Sequence, residues 1–442
     1  MKPGRRSRAF LAFAATIFTT LACSTAAQAD NAEAIFREAR AYTVRVRTQI
    51  DRPFIEDVRG SFQGAGFVVD AKRGWILTNA HVVGRSPAAI SVAFADEPFV
   101  PAERLYVDSF TDMAVLVVPS GIGNRKVAPI TCDAEVVVGE AVGAFGHPLG
   151  IPFTGSRGII SGKTDQFGPD LLQTDATVDH GNSGGPIIRL RDKRVIGIAT
   201  AGAGGSKADR INFATPMKNV CRILEILREG GRPEPPKMGV ALLEDEDGRC
   251  SMRVGTVFNK ERWPLEPGDQ IVGIAEPEEA VNGLDDLTRV LRGRTEPAPL
   301  LVERNGKSVV VEVHPEFRAR ILERRAVVLD GAVIAPQIFD DGSGLEPAPV
   351  LAVHSVDPGS SAEALQVEEG DLIDTIDGRR FHQLDALIAH LRQREHDQPM
   401  TITFRRWGAS FKQVFDYHVR ELPAETFEVF GPNDESVTIA VE

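Results

Sequence analysis

Gly181-Asn182-Ser183-Gly184-Gly185 is the stretch on which the reading of this chain turns. A serine hydroxyl is a weak nucleophile until a base removes its proton, and the tetrahedral oxyanion it creates needs hydrogen-bond donors. Gly181 lets the backbone take a conformation in which main-chain N–H groups converge on one point. Gly184 and Gly185 leave room for close packing behind the hydroxyl. A glycine-rich turn with an incidental serine is the competing interpretation, and the rest of the chain decides between them.

Upstream, Thr78-Asn79-Ala80-His81 follows the apolar run Trp75-Ile76-Leu77 and places a histidine at a strand end. Imidazole is the side chain suited to carry a proton near neutral pH. The other histidines, His147 and His180 among them, read as structural or surface residues. Asp112 stands immediately before the apolar run Met113–Val118, where a carboxylate entering a core needs a partner. A histidine supplies that partner, and the carboxylate in turn fixes the imidazole tautomer. Asp108, the nearby alternative, precedes polar Ser109 and reads as a solvated loop charge.

Around these residues, from about Phe36 to Thr200, short β-type runs alternate with Gly, Pro, Asn and Asp punctuation. Tyr42–Thr48, Gly66–Asp70, Gly74–Leu77, Met113–Val118 and Val195–Ala199 are examples. Closely spaced strands of this kind predict an antiparallel sandwich or barrel rather than alternating βα units. A helix is expected from Pro216 to Glu229, with Val220, Ile223, Leu224 and Leu227 on one face. Gly230–Pro236 ends it and reads as a linker.

Past the linker the chain repeats itself. Glu266-Pro267-Gly268-Asp269-Gln270-Ile271 matches Glu368-Glu369-Gly370-Asp371-Leu372-Ile373 at an offset of 102. The helix-period stretch Leu284–Leu291 matches Leu384–Leu391 at an offset of 100. Each is followed by a β-type run ending in basic residues, Leu300–Arg304 and Ile402–Arg406. Two copies of a unit near 100 residues indicate duplicated domains, since a solenoid needs shorter periods and more copies.

His81, Asp112 and Ser183 stand in the chain order of trypsin-like proteases; subtilisin-type and α/β-hydrolase enzymes use other orders. With TNAHVV, TDMAVL, QTDATVDHGNSGGP and INFATP in sequence, residues 31–228 resemble the HtrA/Deg family of trypsin-like serine proteases. The two repeats resemble the PDZ domains that follow the protease in that family. The resemblance implies a mainly β fold, a double antiparallel β-barrel followed by two α+β PDZ-like domains at 237–316 and 326–420. Residues 229–236 are then the linker and 421–442 a C-terminal tail. It implies Ser183 as nucleophile, His81 as general base and then acid, and Asp112 as the orienting carboxylate. The N–H groups of Gly181 and Ser183 would form the oxyanion hole. Val178 falls where the family lines its S1 pocket, favouring small aliphatic residues there. In the second repeat, Asp330-Gly331-Ala332-Val333-Ile334 is the expected carboxylate-binding loop, beside which a peptide would add as a strand. Met238-Gly239-Val240-Ala241 is its counterpart in the first. That repeat carries Asn259-Lys260-Glu261-Arg262-Trp263 where the second has Pro358-Gly359-Ser360-Ser361-Ala362, so the second is the expected receptor.

Residues 1–29 read as an export signal. Lys2, Arg5, Arg6 and Arg8 precede the apolar run Ala9–Ala22, and Ala27-Gln28-Ala29 is a small-x-small cleavage site. A single N-terminal membrane anchor is the rival reading, so membrane association is not required but stays open. Thr20, three before Cys23, is not the large aliphatic residue a lipoprotein motif needs. Removing four cations from a chain of net charge −12 leaves about −16, which repels nucleic acid. Cys132, Cys221 and Cys250 then remain, an odd number without CxxC spacing. They read as buried small apolar residues with room for one bridge that sequence cannot assign. No metal or organic cofactor is implied. The expectation is an exported endopeptidase for unfolded or mislocalised polypeptides, its PDZ-like modules taking peptide C-termini, assembled as homotrimers or multiples of them. The alternative is an exported peptide-binding or chaperone protein with an inactive protease domain.

Overall fold

The computed structural model of the chain describes residues 33–440 apart from 134, 148–149, 165–169, 180, 201–211, 246–249, 339–348, 395–397, 408–414, 425 and 432–438. A helix, α1 (33–40), leads into the first barrel. That barrel comprises β1 (Thr43–Ile50), β2 (Gly60–Asp70), β3 (Trp75–Thr78), β4 (Ala89–Ala93), β5 (Val100–Asp108) and β6 (Met113–Val117). Their order is β1-β2-β3-β6-β5-β4, and β4 pairs back onto β1 to close the ring. The second holds β7 (Ala141–Gly146), β8 (Thr154–Thr164), β9 (Leu171–Thr174), β10 (Pro186–Arg189), β11 (Arg194–Thr200) and β12 (Asn212–Pro216). It closes in the order β10-β11-β12-β9-β8-β7. β-Branched and aromatic side chains favour these pleated positions. Val44, Val46, Phe67, Ile76 and Leu116 fill the first barrel, and Val142, Ile160, Leu172, Ile187 and Ile196 the second.

Only one short helix, α2 (Ala80–Val83), interrupts the first barrel's described strands, directly after β3. After the second barrel, α3 (Met217–Arg228) lays Val220, Ile223 and Leu224 against the first barrel's core. Cys221 on α3 is bonded to Cys132 in the segment between the barrels, Cα to Cα 5.8 Å. This assigns the one bridge for which the sequence left room. Closing a loop across 89 residues of separation stabilises the fold by about 4.6 kcal/mol in the chain-entropy account.

The expected linker is a packed strap. Pro236–Lys237 pairs with Glu316–Phe317, the Glu234 carboxylate is ion-paired with Arg320 at 2.6 Å, and the Pro233 carbonyl accepts from Tyr106 Oη at 3.0 Å. The first repeat is a sheet ordered Val240–Glu244, Cys250–Val257, Gln270–Ala275, Ala298–Arg304, Lys307–Val313. Its helix α4 (Leu284–Leu291) covers one face with Leu287 and Leu291. The second repeat also has α5 (Ser361–Ala364), capped by Ser360 Oγ, and α6 (Leu384–Gln393).

The duplicated acid and the duplicated base meet. Arg304 grips Asp269 at 2.8 and 2.7 Å, and Arg406 grips Asp371 at 2.6 and 2.7 Å. Each Asp also accepts the N–H of the Glu three residues earlier, at 2.9 and 3.0 Å. A two-pronged guanidinium–carboxylate pair of this kind fixes orientation as well as distance.

The second repeat's sheet departs from expectation. It runs Phe415–Leu422, Met400–Trp407, Leu372–Ile376, Pro349–Val356, Ala332–Ile338, Ala326–Leu329, Thr426–Phe430, Ile439–Ala440. Thr426–Phe430, placed by the sequence in a tail, is thus a strand beside Ala326–Leu329.

Candidate active site

His81 is set by α2 at the end of β3, and Asp112 by the turn between β5 and β6. β3 and β6 are paired neighbours, Thr78 opposite Ala114, so the two side chains arrive together. His81 Nδ1 lies 2.7 Å from Asp112 Oδ2, and the His81 N–H donates to Asp112 Oδ1 at 3.0 Å. Thr200 Oγ1 donates to Asp112 Oδ2 at 2.9 Å. Asn79 Nδ2 donates to the Asp112 carbonyl at 2.8 Å. A carboxylate on Nδ1 leaves Nε2 as the nitrogen free to accept a proton. Asp112 holds a φ of +49°, an uncommon conformation for a side-chain-bearing residue, so its surroundings over-determine it.

Ser183 occupies a turn that the second barrel delivers to the first. Its carbonyl accepts from Ala65 of β2 at 2.8 Å. A Cβ on Gly184, whose φ is +87°, would sit 2.2 Å from the Ala65 carbonyl oxygen and 2.3 Å from Thr78 Oγ1. Only glycine fits there. Gly64 shows how near the two halves come: a Cβ on it would lie 2.7 Å from Val82, next to His81, and 3.0 Å from the Ser183 carbonyl. Among the described residues no hydrogen bond joins Ser183 Oγ to His81.

The turn's donors are divided in a telling way. Asn182 N–H is spent on the Asp179 carbonyl at 2.9 Å, Gly184 N–H on Ala199 at 2.8 Å and Gly185 N–H on Asn182 at 2.9 Å. Among the described residues, no backbone acceptor takes the N–H of Gly181 or of Ser183. Two amides flanking one residue, neither taken by a backbone acceptor among the described residues, are what a developing oxyanion requires. The Gly181 carbonyl is held from the far side by His147 N–H at 3.0 Å. Burial pushes His147 down to about 4, and its Nδ1 accepts the Phe153 N–H at 3.0 Å. This buried histidine therefore supports the turn, a role its isolated position in the sequence did not reveal. Thr200 was missed likewise, because nothing local marks it as a partner of Asp112.

Val178 is 4% exposed and belongs to the apolar cluster with Val142, Ala144, Ala199 and Ala214. His180 lies outside the described residues. Among those described, no group of three His, Cys, Asp or Glu side chains is placed to hold a metal ion. No described helix is long and apolar enough to cross a membrane.

Two sequence readings are corrected. Asp108 is no solvated charge: it is buried and ion-paired with Arg292 of the first repeat at 2.5 Å. Gly331, Ala332, Val333 and Ile334 do not form an open peptide-binding loop. Asp330 and Gly331, with φ of +46° and +92°, turn a tight hairpin, and Ala332–Ile338 is paired on both edges, with Ala326–Leu329 and with Pro349–Val356. Val327 and Leu329 pack in one cluster with Leu384, Leu387 and Ile388 of α6. The chain's own strand thus fills the space between sheet and helix that a peptide would take. In the first repeat, by contrast, Val240–Glu244 pairs only with Cys250–Val257 among the described residues.

A family model of the trypsin-like peptidase domain matches residues 64–198. The chain is 34% identical over 192 residues to the serine protease Do-like HtrB of Bacillus subtilis, a match covering 41% of each chain. It is 32% identical over 272 residues to HhoA of Synechocystis sp., covering 52% of this chain and 68% of that protein. Among solved structures, the HtrA-type protease AlgW with tripeptide aligns at a TM-score of 0.52 and 26% identity, over 64% of this chain and 96% of that one. The match spans less than half the length of the Do-like HtrB relative.

Proposed function

The chain belongs to the HtrA/Deg family of trypsin-like serine proteases, and from that premise we propose that it is an exported serine endopeptidase acting on unfolded or mislocalised polypeptides. The observation that carries the reading is the 2.7 Å contact of His81 Nδ1 with Asp112, beside a serine turn with two amides that no backbone acceptor takes among the described residues. Ser183 Oγ attacks the scissile carbonyl while His81 Nε2 takes its proton. Asp112 stabilises the imidazolium so formed, and the N–H groups of Gly181 and Ser183 receive the oxyanion. His81 then protonates the leaving amine, and water repeats the sequence on the acyl-enzyme.

Comparing unfolded casein with the parent chain and Ser183→Ala tests this. Cleavage is expected to fall by at least about 10³-fold, as for loss of a triad nucleophile, and a fluorophosphonate probe is expected to map to Ser183. Equal digestion by both proteins would leave the peptide-binding, catalytically inert alternative standing. The digests also report the S1 preference. Apolar Val178, five residues before Ser183, supports cleavage after Val or Ala, and comparable rates after Lys would remove it.

Peptide recruitment falls to the first repeat, whose Val240–Glu244 edge is unpaired among the described residues and suits strand addition. Export predicts a mature N-terminus at Asp30, readable by N-terminal sequencing of the periplasmic or secreted fraction. Homotrimers or multiples are checked by light scattering.

A further inference from the structure

The contact between the first repeat and the first barrel centres on one buried ion pair. Arg292 caps the C-terminal end of α4 and Asp108 ends β5; their side chains are 2% and 0% exposed, with Nη2 2.5 Å from Oδ2. Arg292 Nη1 also donates to the Pro233 carbonyl at 2.5 Å and reaches Tyr106 Oη at 3.3 Å. Asp108 is meanwhile the organiser of the turn that follows it. Its Oδ1 accepts the Phe110 N–H at 2.9 Å, and its Oδ2 accepts Thr111 Oγ1 at 3.1 Å. The Thr111 carbonyl is fixed by Thr215 Oγ1 at 3.0 Å. The next residue is Asp112, at a φ of +49° and 2.7 Å from His81.

We infer that Arg292 is a positioning residue for catalysis, contributed to the protease by the first repeat and acting on Asp112 through Asp108. The inference rests on the serine protease reading. A carboxylate without solvent needs its counter-charge; taken away, Asp108 must find water or a proton. Either change withdraws the acceptors that shape Phe110 and Thr111, and with them the left-handed conformation of Asp112. The docked repeat and the catalytic carboxylate are thus joined by three consecutive links: the Arg292–Asp108 ion pair, the Thr111 Oγ1–Asp108 hydrogen bond and the peptide bond from Thr111 to Asp112. The duplicate position supports the specificity of the device. The second repeat has Arg392 at the corresponding offset of 100, on an exposed stretch of α6 with no described barrel partner.

The test uses the full chain and a short chromogenic peptide that needs no recruitment. Arg292→Met is expected to lower kcat about 10–100-fold with KM little changed. The labelling rate of Ser183 by a fluorophosphonate should fall in parallel. The downfield proton resonance of His81 Nδ1–H, which reports the Asp112 contact, should weaken or vanish. Asp108→Asn added to Arg292→Met removes the stranded charge while keeping an acceptor for Phe110 N–H, and is expected to recover at least a third of the lost kcat on a logarithmic scale. A purely adhesive role predicts a lower melting temperature but parent kcat, an unchanged Nδ1–H resonance and no rescue; that pattern overturns the inference. Should Arg292→Met fail to fold, Arg292→Lys decides, because lysine cannot span both Asp108 and the Pro233 carbonyl. A kcat equal to the parent then overturns the inference, and a 3–10-fold loss supports it. If the parent itself is no more active than Ser183→Ala, the protease reading fails, and the Nδ1–H resonance alone judges whether Arg292 holds Asp112.

Discussion

The two repeats share a clamp and differ in almost everything around it. Asp269–Arg304 and Asp371–Arg406 are the same bidentate pair at the same offset. Yet the first repeat leaves the Val240–Glu244 edge unpaired among the described residues, while the second covers the equivalent strand with Ala326–Leu329 and then Thr426–Phe430. Their attachments differ in kind as well. The first docks through polar groups: Arg292 on Asp108, and Asp285, whose Oδ2 accepts Asn219 Nδ2 at 2.7 Å and Asp170 N–H at 2.8 Å. The second docks on the β1–β2 loop through an aromatic plug. Phe54, 1% exposed, packs with Ala326, Val328, Val333 and Ala335, and Arg324 lies 4.1 Å over its ring. Arg52 pairs with Asp357 at 2.9 Å and with Glu428 at 2.7 Å around it. A motif that reads as a receptor in sequence is not a receptor when its own chain has taken the edge.

This contrast reaches the triad at two different residues. Asp57 of the β1–β2 loop accepts the N–H groups of Arg85 and Ser86 at 2.6 and 2.7 Å, just beyond the helix that carries His81. The second repeat therefore buttresses the His81 side of the site, and the first the Asp112 side.

The largest effect that would break the contrast is loss of the plug. Phe54→Ala is expected to cost about 3–5 kcal/mol, as for a buried aromatic, and to free the second repeat while leaving the first docked. Hydrogen exchange resolved by peptide would show fast exchange in Ala326–Leu329 but not in α4. Uniform protection would mean that the ion pairs of Arg52 suffice.

Acid should separate the two next. His354 is buried against Phe54, its Nδ1 accepting the Ile55 N–H at 3.1 Å. Burial first, and then the neighbouring Arg324 charge, push it down to about 4, with Glu56 opposing. Between pH 6.5 and 4 the unfolded chain binds the proton and the folded one does not, so stability falls with pH across that window. The second repeat's docking should weaken by about 2 kcal/mol between pH 7 and 5. Asp285 behaves in the opposite sense. Burial, with Asp170 adding to it, raises it to about 6, so the folded state binds the extra proton below that value. The first repeat should tighten by about 1 kcal/mol over the same range. Domain-resolved exchange at both pH values reads the two signs; parallel behaviour would dissolve the distinction. His147, pushed down to about 4 by burial, adds a loss to the second barrel in the same window.

Much of this architecture was legible locally. The helix expected at 216–229 is Met217–Arg228, and the repeat helices run Leu284–Leu291 and Leu384–Gln393. Their apolar spacing is a property of adjacent residues, which any window reveals. His81, Asp112 and Ser183 were marked by residue type, flanking runs and chain order, and Asn79 lay in the same motif as His81. Thr200 and His147 were not marked, because each acts on a residue far away in sequence: 88 positions in the case of Thr200 and Asp112.

The sequence by itself determined the strands, the duplicated units and the types of residue that chemistry would need, since these follow from periodicity, turn propensity and side-chain inventory. Tertiary structure alone decided that Asp108 is buried against Arg292, that Cys132 meets Cys221, and that the second repeat's groove is filled from within. Each of those depends on which surfaces exclude water together. Burial, unlike periodicity, is a property of segments that the polymer brings into contact only when it is folded.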